Sequence, residues 1–175
     1  MKTTLPHKFM LCLVIVCLGC TPPQQHPTVV ANERQAIATL LNNFNAAAAS
    51  ANYTNYFNCF TNDAVFIGTD ATESWTKKSF MLWAKPHFEA KKTWNFTAVK
   101  RTIYFGTSNN IAWFDELLNT QMKICRGSGV VVKQNNEWKI QHYVLSITIP
   151  NSLSKVVVQQ KATFDDSLLR TIIAQ

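Results

Sequence analysis

Two kinds of hydrophobic spacing divide the chain after its first thirty residues. Between residues 32 and 90, apolar side chains recur every three or four positions, which indicates helices that each bury one face. From residue 94 to residue 149, apolar and polar side chains alternate, which is typical of strands. Helices followed by long antiparallel strands predict an α+β fold, with the helices covering the concave face of a strongly curved sheet.

The helical part is predicted to contain three helices, at 32–50, 53–60 and 76–90. Asn32 is suited to cap the first helix, because its side chain can accept a hydrogen bond from a free backbone N–H. Pro86 lies inside the third segment and is expected to kink or shorten that helix.

A short strand at 64–69 is predicted between the second and third helices. Four long strands follow, at 94–105, 110–119, 121–133 and 137–149, and a final helix at 153–173. Gly127 and Gly129 interrupt the third long strand, which predicts a bulge or a sharp bend there.

The first twenty residues have the pattern of a signal peptide. Lys2 and Lys8 precede an apolar run from Phe9 to Leu18, which is too short to span a bilayer because a spanning helix needs about 20 residues. The segment 1–19 is therefore expected to be cleaved during export.

The end of this segment, Leu18-Gly19-Cys20, resembles a bacterial lipobox, although Cys17 stands where that pattern prefers leucine. The resemblance implies a lipid on Cys20, a polar proline-rich tether over 20–31, and a membrane-anchored protein of the cell envelope that faces the periplasm. The alternative is an ordinary signal peptide cut near Ala31.

Charge and cysteine content exclude some classes of function. The formal net charge is +7, but the basic residues are scattered, so no nucleic-acid site is expected. Cys59 and Cys125 could form a disulfide in an oxidising compartment, and two separate buried thiols are the expectation. The cysteine spacing fits no zinc site, and neither a metal nor another cofactor is expected.

Six segments of the chain together resemble the SnoaL-like branch of the nuclear-transport-factor-2-like superfamily. They are Phe60–Asp70, Trp75–Lys77, Ile111–Glu116, Arg126–Lys133, Trp138–Ser146 and Ile149–Asn151. The resemblance covers residues 32–151, and leaves 152–175 as a C-terminal helical extension. It implies a cone-shaped α+β domain, often a homodimer through its sheet, in a superfamily that includes cyclases, isomerases, dehydratases and proteins that only bind.

Strand alternation groups three candidate catalytic side chains. Asp115, Arg126 and His142 could share the concave face of the sheet, where the acid would orient the imidazole as a general base. In the alternative, Asp115 and Arg126 form an exposed ion pair on the outer face. The apolar alternate faces would then point towards the helices; they carry Ala112, Phe114, Cys125, Val131, Tyr143, Leu145 and Ile147.

A second group of candidates would line the pocket and bind a ligand. It contains Phe66, Asp70, Trp75, His87 and Trp113. The resemblance implies that Asp70 and Trp75, after a strand end, and His87, on the third helix, surround the mouth of the cone, and Trp113 shares a strand face with Asp115. Asp70 and His87 could form an acid–imidazole pair, or Asp70 could cap a turn while His87 stays partly exposed. The tryptophans could equally be packing residues.

Three hypotheses for the function follow from this sequence. The first is an exported lipoprotein domain that binds a small hydrophobic or amphipathic molecule in a conical pocket. The second is a metal-independent acid–base enzyme of the cyclase, isomerase or dehydratase type. The third is a protein-interaction module that docks a partner through an apolar face of its sheet.

Overall fold

The computed structural model describes residues 27–107 and 110–174. The expected signal peptide 1–19, the expected lipid site at Cys20 and most of the expected tether lie outside the described residues. Within the described part of the chain, none of the helices is both long and apolar enough to cross a membrane.

The described residues form four α-helices, one short 3₁₀ helix and six strands. The helices are α1 (Pro27–Ala49), α2 (Tyr53–Asn58), α3 (Lys77–Glu89) and α4 (Ser154–Ile173), with the 3₁₀ helix at Asn151–Leu153. The strands are β1 (Phe60–Ile67), β2 (Ser74–Thr76), β3 (Thr97–Phe105), β4 (Ile111–Thr120), β5 (Lys123–Gln134) and β6 (Glu137–Ile147).

All six strands belong to one curved sheet in the order β2-β1-β6-β5-β4-β3. The four long strands form an antiparallel meander, and β1 joins it by pairing parallel to β6. Helices α1, α2 and α3 pack on one face of this sheet, and α4 follows as a C-terminal helix. The predicted α+β fold, a cone built from three N-terminal helices and a curved sheet, is confirmed.

The core lies between the three helices and the concave face of the sheet. On β4, Ala112, Phe114 and Leu118 are buried, and every second residue between them is more exposed. Ile37 and Leu41 of α1 are fully buried. The apolar strand faces therefore point towards the helices, as one of the two alternatives for this sheet predicted.

An ion pair and a hydrogen bond join α1 to the adjoining ends of β5 and β6. Lys133 Nζ lies 2.6 Å from Glu33 Oε1, and Trp138 Nε1 donates to Glu33 Oε2 at 2.6 Å. The hydrogen bond from Lys133 lowers the pKa of Glu33 below its usual range, against the opposing effect of burial. This contact holds the N-terminal helix at a fixed place over β5 and β6.

Several element boundaries differ from the prediction. Helix α1 begins at Pro27 and not at Asn32, because proline at the first helical position loses no hydrogen bond and already has a helical φ. Pro86 does not end α3, since it lies in the last turn and only three helical residues follow it. Strand β1 begins at Phe60, which pairs with Ile140 of β6.

The bulge predicted at the glycines of β5 is not located there. The register between β4 and β5 runs unbroken through Gly127 and Gly129, and the shift against β6 falls between Val130 and Val131. The glycines are needed for space. A Cβ on Gly127 would lie 2.4 Å from the Tyr143 hydroxyl, and one on Gly129 would lie 2.2 Å from the His142 carbonyl oxygen.

The two cysteines of the folded domain are separate thiols. Cys59 and Cys125 are both free and buried, which confirms the expectation that they do not pair. Burial raises the pKa of the Cys59 thiol to about 11, although Lys139 and Lys77 partly oppose this shift. A thiol with such a pKa is almost wholly protonated near neutral pH and behaves as a small apolar side chain.

Candidate ligand-binding site

An aromatic cavity of about 150 Å³ opens at one end of the cone. It lies between α3, the β1–β2 loop, the end of β6 and the β4–β5 turn. Six of its lining residues are aromatic: Phe66, Phe80 and Phe96, and Trp75, Trp83 and Trp94. The other lining residues are Gly68, Thr69, Glu73, Gln121, Met122 and Leu145.

The aromatic rings around this cavity stack on one another almost in parallel. The Phe66 and Phe80 centroids are 4.3 Å apart with planes 18° from parallel, and Trp75 stacks on Phe80 at 5.4 Å and 10°. Trp83 stacks in turn on Trp75 at 5.0 Å and 27°. Rings that hold one another in this way form a wall that exists before any ligand enters.

Local structure explains how three of these rings meet. Phe66 points inwards from β1, and Trp75 is its partner in the antiparallel pairing of β1 with β2. Thr76 then caps α3 by accepting a hydrogen bond from the Ser79 N–H at 3.2 Å, which sets the helix direction. Phe80 follows in the first turn of α3, on the face that packs against the sheet.

Glu73 is the one ionisable side chain among the described residues that line the aromatic cavity. Its Oε2 accepts a hydrogen bond from the Asp70 backbone N–H at 3.2 Å. Its side chain lies across Gly68, where an added Cβ would be 2.1 Å from Oε2. The glycine thus lets a carboxylate lie against the rim of an otherwise apolar cavity.

The structure brings only two of the five predicted pocket residues to this cavity, Phe66 and Trp75. Asp70 caps its own loop, accepting hydrogen bonds from the Thr72 N–H at 2.8 Å and the Thr72 hydroxyl at 2.6 Å. The hydrogen bond from the Thr72 hydroxyl, and after it the one from the Thr72 N–H, hold the pKa of Asp70 below its usual range. His87 is exposed and lies against Trp83, so the Asp70–His87 pair does not form.

Trp113 lies on the opposite side of the sheet from the cavity. It projects from the face of β3–β6 that points away from the helices, which we call the outer face. There it stacks on Tyr104 with centroids 5.9 Å apart, and 46% of it is exposed. Trp113 does not line the aromatic cavity, because the sheet turns its other face towards the helices.

The three catalytic candidates also lie on the outer face. Arg126 Nη1 is 3.5 Å from Asp115 Oδ1 in a half-exposed pair, and Tyr104 donates to Asp115 Oδ2 at 3.1 Å. His142 pairs with Val130 of β5, so it is two strands away from β4, a distance of about 10 Å. The structure does not assemble the predicted acid–imidazole constellation, because Asp115 cannot reach His142.

One buried polar cluster was not among the predicted sites. Arg101 Nε donates to Glu116 Oε2 at 2.7 Å, and the Tyr143 hydroxyl donates to Glu116 Oε1 at 3.1 Å. Burial, followed by the charge of Glu116, raises the pKa of Tyr143 well above its usual range. Alternation along β4 places Glu116 on the same face as the buried Phe114, and that signal could have found it.

This buried cluster has a structural role in the described chain. Glu116 is 1% exposed, and Arg101 also donates to the Ala38 carbonyl at 3.2 Å and to Asn42 Oδ1 at 2.9 Å. It therefore links β3, β4 and β6 to α1, and its residues do not line the aromatic cavity. No group of three or more potential metal ligands occurs among the described residues.

The cone with one open apolar end defines a ligand-binding or enzymatic domain. The sequence profile of the SnoaL-like domain family matches residues 37–150, which is more than half of the chain. The chain therefore belongs to the SnoaL-like domain family. No curated protein sequence matches it.

Solved structures share the fold at low sequence identity. A candidate scytalone dehydratase from Novosphingobium aromaticivorans DSM 12444 superposes with a TM-score of 0.61 and 12% identity, over 71% of this chain and 89% of its own. A candidate aromatic ring hydroxylase from Novosphingobium aromaticivorans has a TM-score of 0.60 and 16% identity, over 72% of this chain and 94% of its own. An NTF2-like protein of unknown function from Pseudomonas putida KT2440 has a TM-score of 0.56 and 14% identity, over 70% of this chain and 90% of its own. These similarities establish an NTF2-like fold.

Proposed function

We propose that this domain binds a small hydrophobic or amphipathic molecule in the aromatic cavity. The observation that carries the proposal is a preformed wall of stacked rings with one carboxylate, Glu73, at its edge. An apolar concave site with few polar groups is the usual form of a small-molecule site in proteins.

The size and charge of the cavity restrict the class of ligand that it can bind. A volume of about 150 Å³ is that of a cavity known to hold a single benzene ring, so the buried part of the ligand is about one ring in size. Indole faces attract cations, and Glu73 adds a negative charge beside them. A compact aromatic or aliphatic amine fits both features.

Binding is better supported than acid–base catalysis for this site. A general base must lie within about 2.6–3.2 Å of its proton, or one water away. Asp115, Arg126 and His142 lie on the outer face, and Glu73 has no second ionisable group beside it among the described lining residues. The proposed activity is therefore capture of the ligand without turnover.

The test is a titration of the full chain with four one-ring probes: benzylamine, benzyltrimethylammonium, toluene and benzoate. Calorimetry should show that the two cations bind more tightly than toluene, and that benzoate binds most weakly. Glu73→Gln should reduce the preference for cations to what the indole faces alone provide, and should leave toluene binding unchanged. Equal affinity for benzylamine and benzoate would contradict the role of Glu73.

A matched pair of tryptophans controls for effects on folding. Trp83 lines the cavity at 43% exposure, and Trp113 is 46% exposed on the outer face. Trp83→Ala should weaken binding of every probe that binds the wild type, whereas Trp113→Ala should not. The proposal fails if both variants bind as the wild type does, or if none of the four probes binds to the wild type.

We also propose that the domain is exported and held at the cell envelope by a lipid on Cys20. The support is the sequence of residues 1–26, with its short apolar run and the polar segment that precedes α1. Cys20→Ser should move the protein from the membrane fraction to the soluble fraction. Cys12→Ser, which lies outside the lipobox, is the matched control and should remain with the membrane, and an unchanged Cys20→Ser distribution would refute lipidation.

A further inference from the structure

Helix α3 has an exposed side with a large apolar side chain at its centre. The helix buries Phe80, Ala84 and Phe88 against the rest of the domain, at a spacing of four residues. Leu82 lies on the opposite side and is 69% exposed, and Trp83 borders that side at 43% exposure. The helix therefore presents apolar surface to the solvent as well as to the core.

Lysines surround this apolar surface. Lys78 and Lys85 precede and follow Leu82 by one turn on the same side of α3, and both are exposed. Lys91 and Lys92 are also exposed and come just after the helix ends. We call the exposed side of α3, together with these two lysines, the basic face.

The charge of this segment is almost entirely positive. Although basic residues occur throughout the chain, residues 77–92 contain five lysines and one acid, Glu89, a formal charge of +4. Glu89 pairs with Lys85, whose Nζ lies 3.1 Å from Oε1. Lys77 and Lys78 occupy the first turn of α3, where the helix dipole makes cations unfavourable. An anionic surface would offset the cost of this arrangement.

We infer that the basic face of α3 binds the surface of an anionic lipid bilayer. Leu82 enters the boundary between headgroups and acyl chains, as the apolar side chains of interfacial helices do. Trp83 lies at the level of the headgroups, which is where indole rings are enriched. The long lysine stems let the ammonium groups reach the lipid phosphates while Leu82 is inserted.

An apolar centre surrounded by lysines fits a bilayer better than it fits a protein or a nucleic acid. The buried core of a protein interface is depleted in lysine. Single-stranded nucleic acids are bound by cations and stacked aromatic rings, and neither role uses Leu82. A bilayer offers phosphates for the lysines and hydrocarbon for the leucine in one surface.

The basic face adjoins the aromatic cavity, because Trp83 belongs to both. A domain bound in this way holds its cavity beside the lipid headgroups. The negative potential of an anionic bilayer concentrates cations at its surface, so amines would be supplied there to the cavity. This consequence rests on the proposed function, whereas the contact with the bilayer does not, and the experiments below measure the contact without any amine.

Sedimentation of the full chain with vesicles tests the charges. The wild type should bind vesicles of equal parts phosphatidylcholine and phosphatidylglycerol more tightly than vesicles of phosphatidylcholine alone. Lys78→Gln with Lys92→Gln should lower the affinity for the mixed vesicles at least about tenfold. The control, Lys100→Gln with Arg126→Gln, removes two cations from the outer face and should lower it less than about twofold. Residues 1–26 are the same in every variant, so their own affinity for lipid does not affect the comparison.

Tryptophan fluorescence tests the apolar part of the contact. Leu82→Trp and Val99→Trp each add a ring at an exposed position, since Leu82 is 69% and Val99 62% exposed. In mixed vesicles, brominated acyl chains quench rings that enter the bilayer. Leu82→Trp should therefore lose a larger share of its fluorescence than the wild type, and Val99→Trp should not.

Three results would overturn the inference. The first is a wild type that binds both kinds of vesicle equally, and the second is a lysine variant that binds no more weakly than its control. The third is a Leu82→Trp variant that is quenched no more than the wild type. If the lysine variant loses binding to polyuridylate and keeps its binding to vesicles, the basic face is assigned to a nucleic acid instead.

Discussion

Replacing Gly127 by alanine tests whether this glycine exists to admit the Tyr143 hydroxyl. The added Cβ would lie 2.4 Å from that oxygen, and 3.1 Å from both Cγ and Oε1 of Glu116. Gly127 has no positive φ, so alanine in open space would gain about 0.4–1 kcal/mol from the unfolded state. Any loss of stability must therefore come from the close contact, and overpacking of this kind costs about 1–3 kcal/mol.

Tyr143→Phe removes the oxygen that the new Cβ would meet. By itself this change should cost about 1.5–3 kcal/mol, because the hydroxyl donates to a charged carboxylate. In the double variant the 2.4 Å contact is gone and only the 3.1 Å contacts with Glu116 remain, so the two losses should not add. We expect a rescue of about 1–3 kcal/mol, which exceeds the roughly 0.5 kcal/mol within which independent changes add.

The assay is urea unfolding followed by the fluorescence of the five tryptophans. Gly129→Ala is the matched control on the same strand, because its Cβ would meet the His142 backbone oxygen at 2.2 Å, which no change at Tyr143 removes. Gly129→Ala and Tyr143→Phe should therefore add. The reasoning is refuted if Gly127→Ala is as stable as the wild type, or if its loss adds fully to that of Tyr143→Phe.

Three further predictions concern charges and the Cys59 thiol. Arg101→Met should cost about 3–5 kcal/mol of unfolding free energy, because it leaves the buried Glu116 without its cation. Arg126→Met, at the exposed pair, should cost under about 1 kcal/mol. Equal losses would contradict the reasoning that burial makes the first pair the more costly one to break. The Cys59 pKa is raised from 9.0 to about 11 in the fold, so its contribution to stability is present below pH 9 and is lost between pH 9 and 11 as the unfolded thiol ionises. Unfolding curves across that range should show the loss, and Cys59→Ala should make it smaller, leaving the part that comes from the buried Tyr143, whose pKa is also raised. An unaltered pH dependence in that variant would exclude the thiol as a source. In calorimetry, Asp115→Asn and His142→Ala should each have the same stability and the same probe affinity as the wild type, within measurement error. Loss of binding would show that these residues do contribute to the site.

Local spacing predicted much of the fold but little of the site. Alternation placed the long strands within a few residues of their ends, and it offered, as one of two faces, a set that is buried except for Ile147, which is 48% exposed. It could not choose between them, because a strand with Phe114 on one side and Trp113 on the other is apolar on both. The choice depends on which face α1 covers, and that is a tertiary property.

The aromatic cavity depends on contacts between segments that are far apart in the sequence. Phe66 and Trp75 lie near each other in the chain, but Trp94, Met122 and Leu145 reach the same cavity only through the curvature of the sheet. The sequence did not indicate Glu73 as a site residue, because a single acidic residue in a polar loop is common. The predicted catalytic group of Asp115, Arg126 and His142 also depends on tertiary structure. It does not assemble, because the strand order places His142 two strands away from Asp115.

Because β1 pairs with β6, the last strand of the domain, the sheet cannot form completely until β6 has been synthesised. Ribosomal synthesis delivers the N-terminal segments first, and contacts between distant segments form slowly because a long loop must close. Until residues 137–147 exist, the three-residue strand β2 is the only one of the described strands that can pair with β1. The edge of β1 and the rings of Phe60 and Phe66 therefore stay accessible to other chains through most of translation, and this is the interval in which a holding chaperone would protect the protein from aggregation.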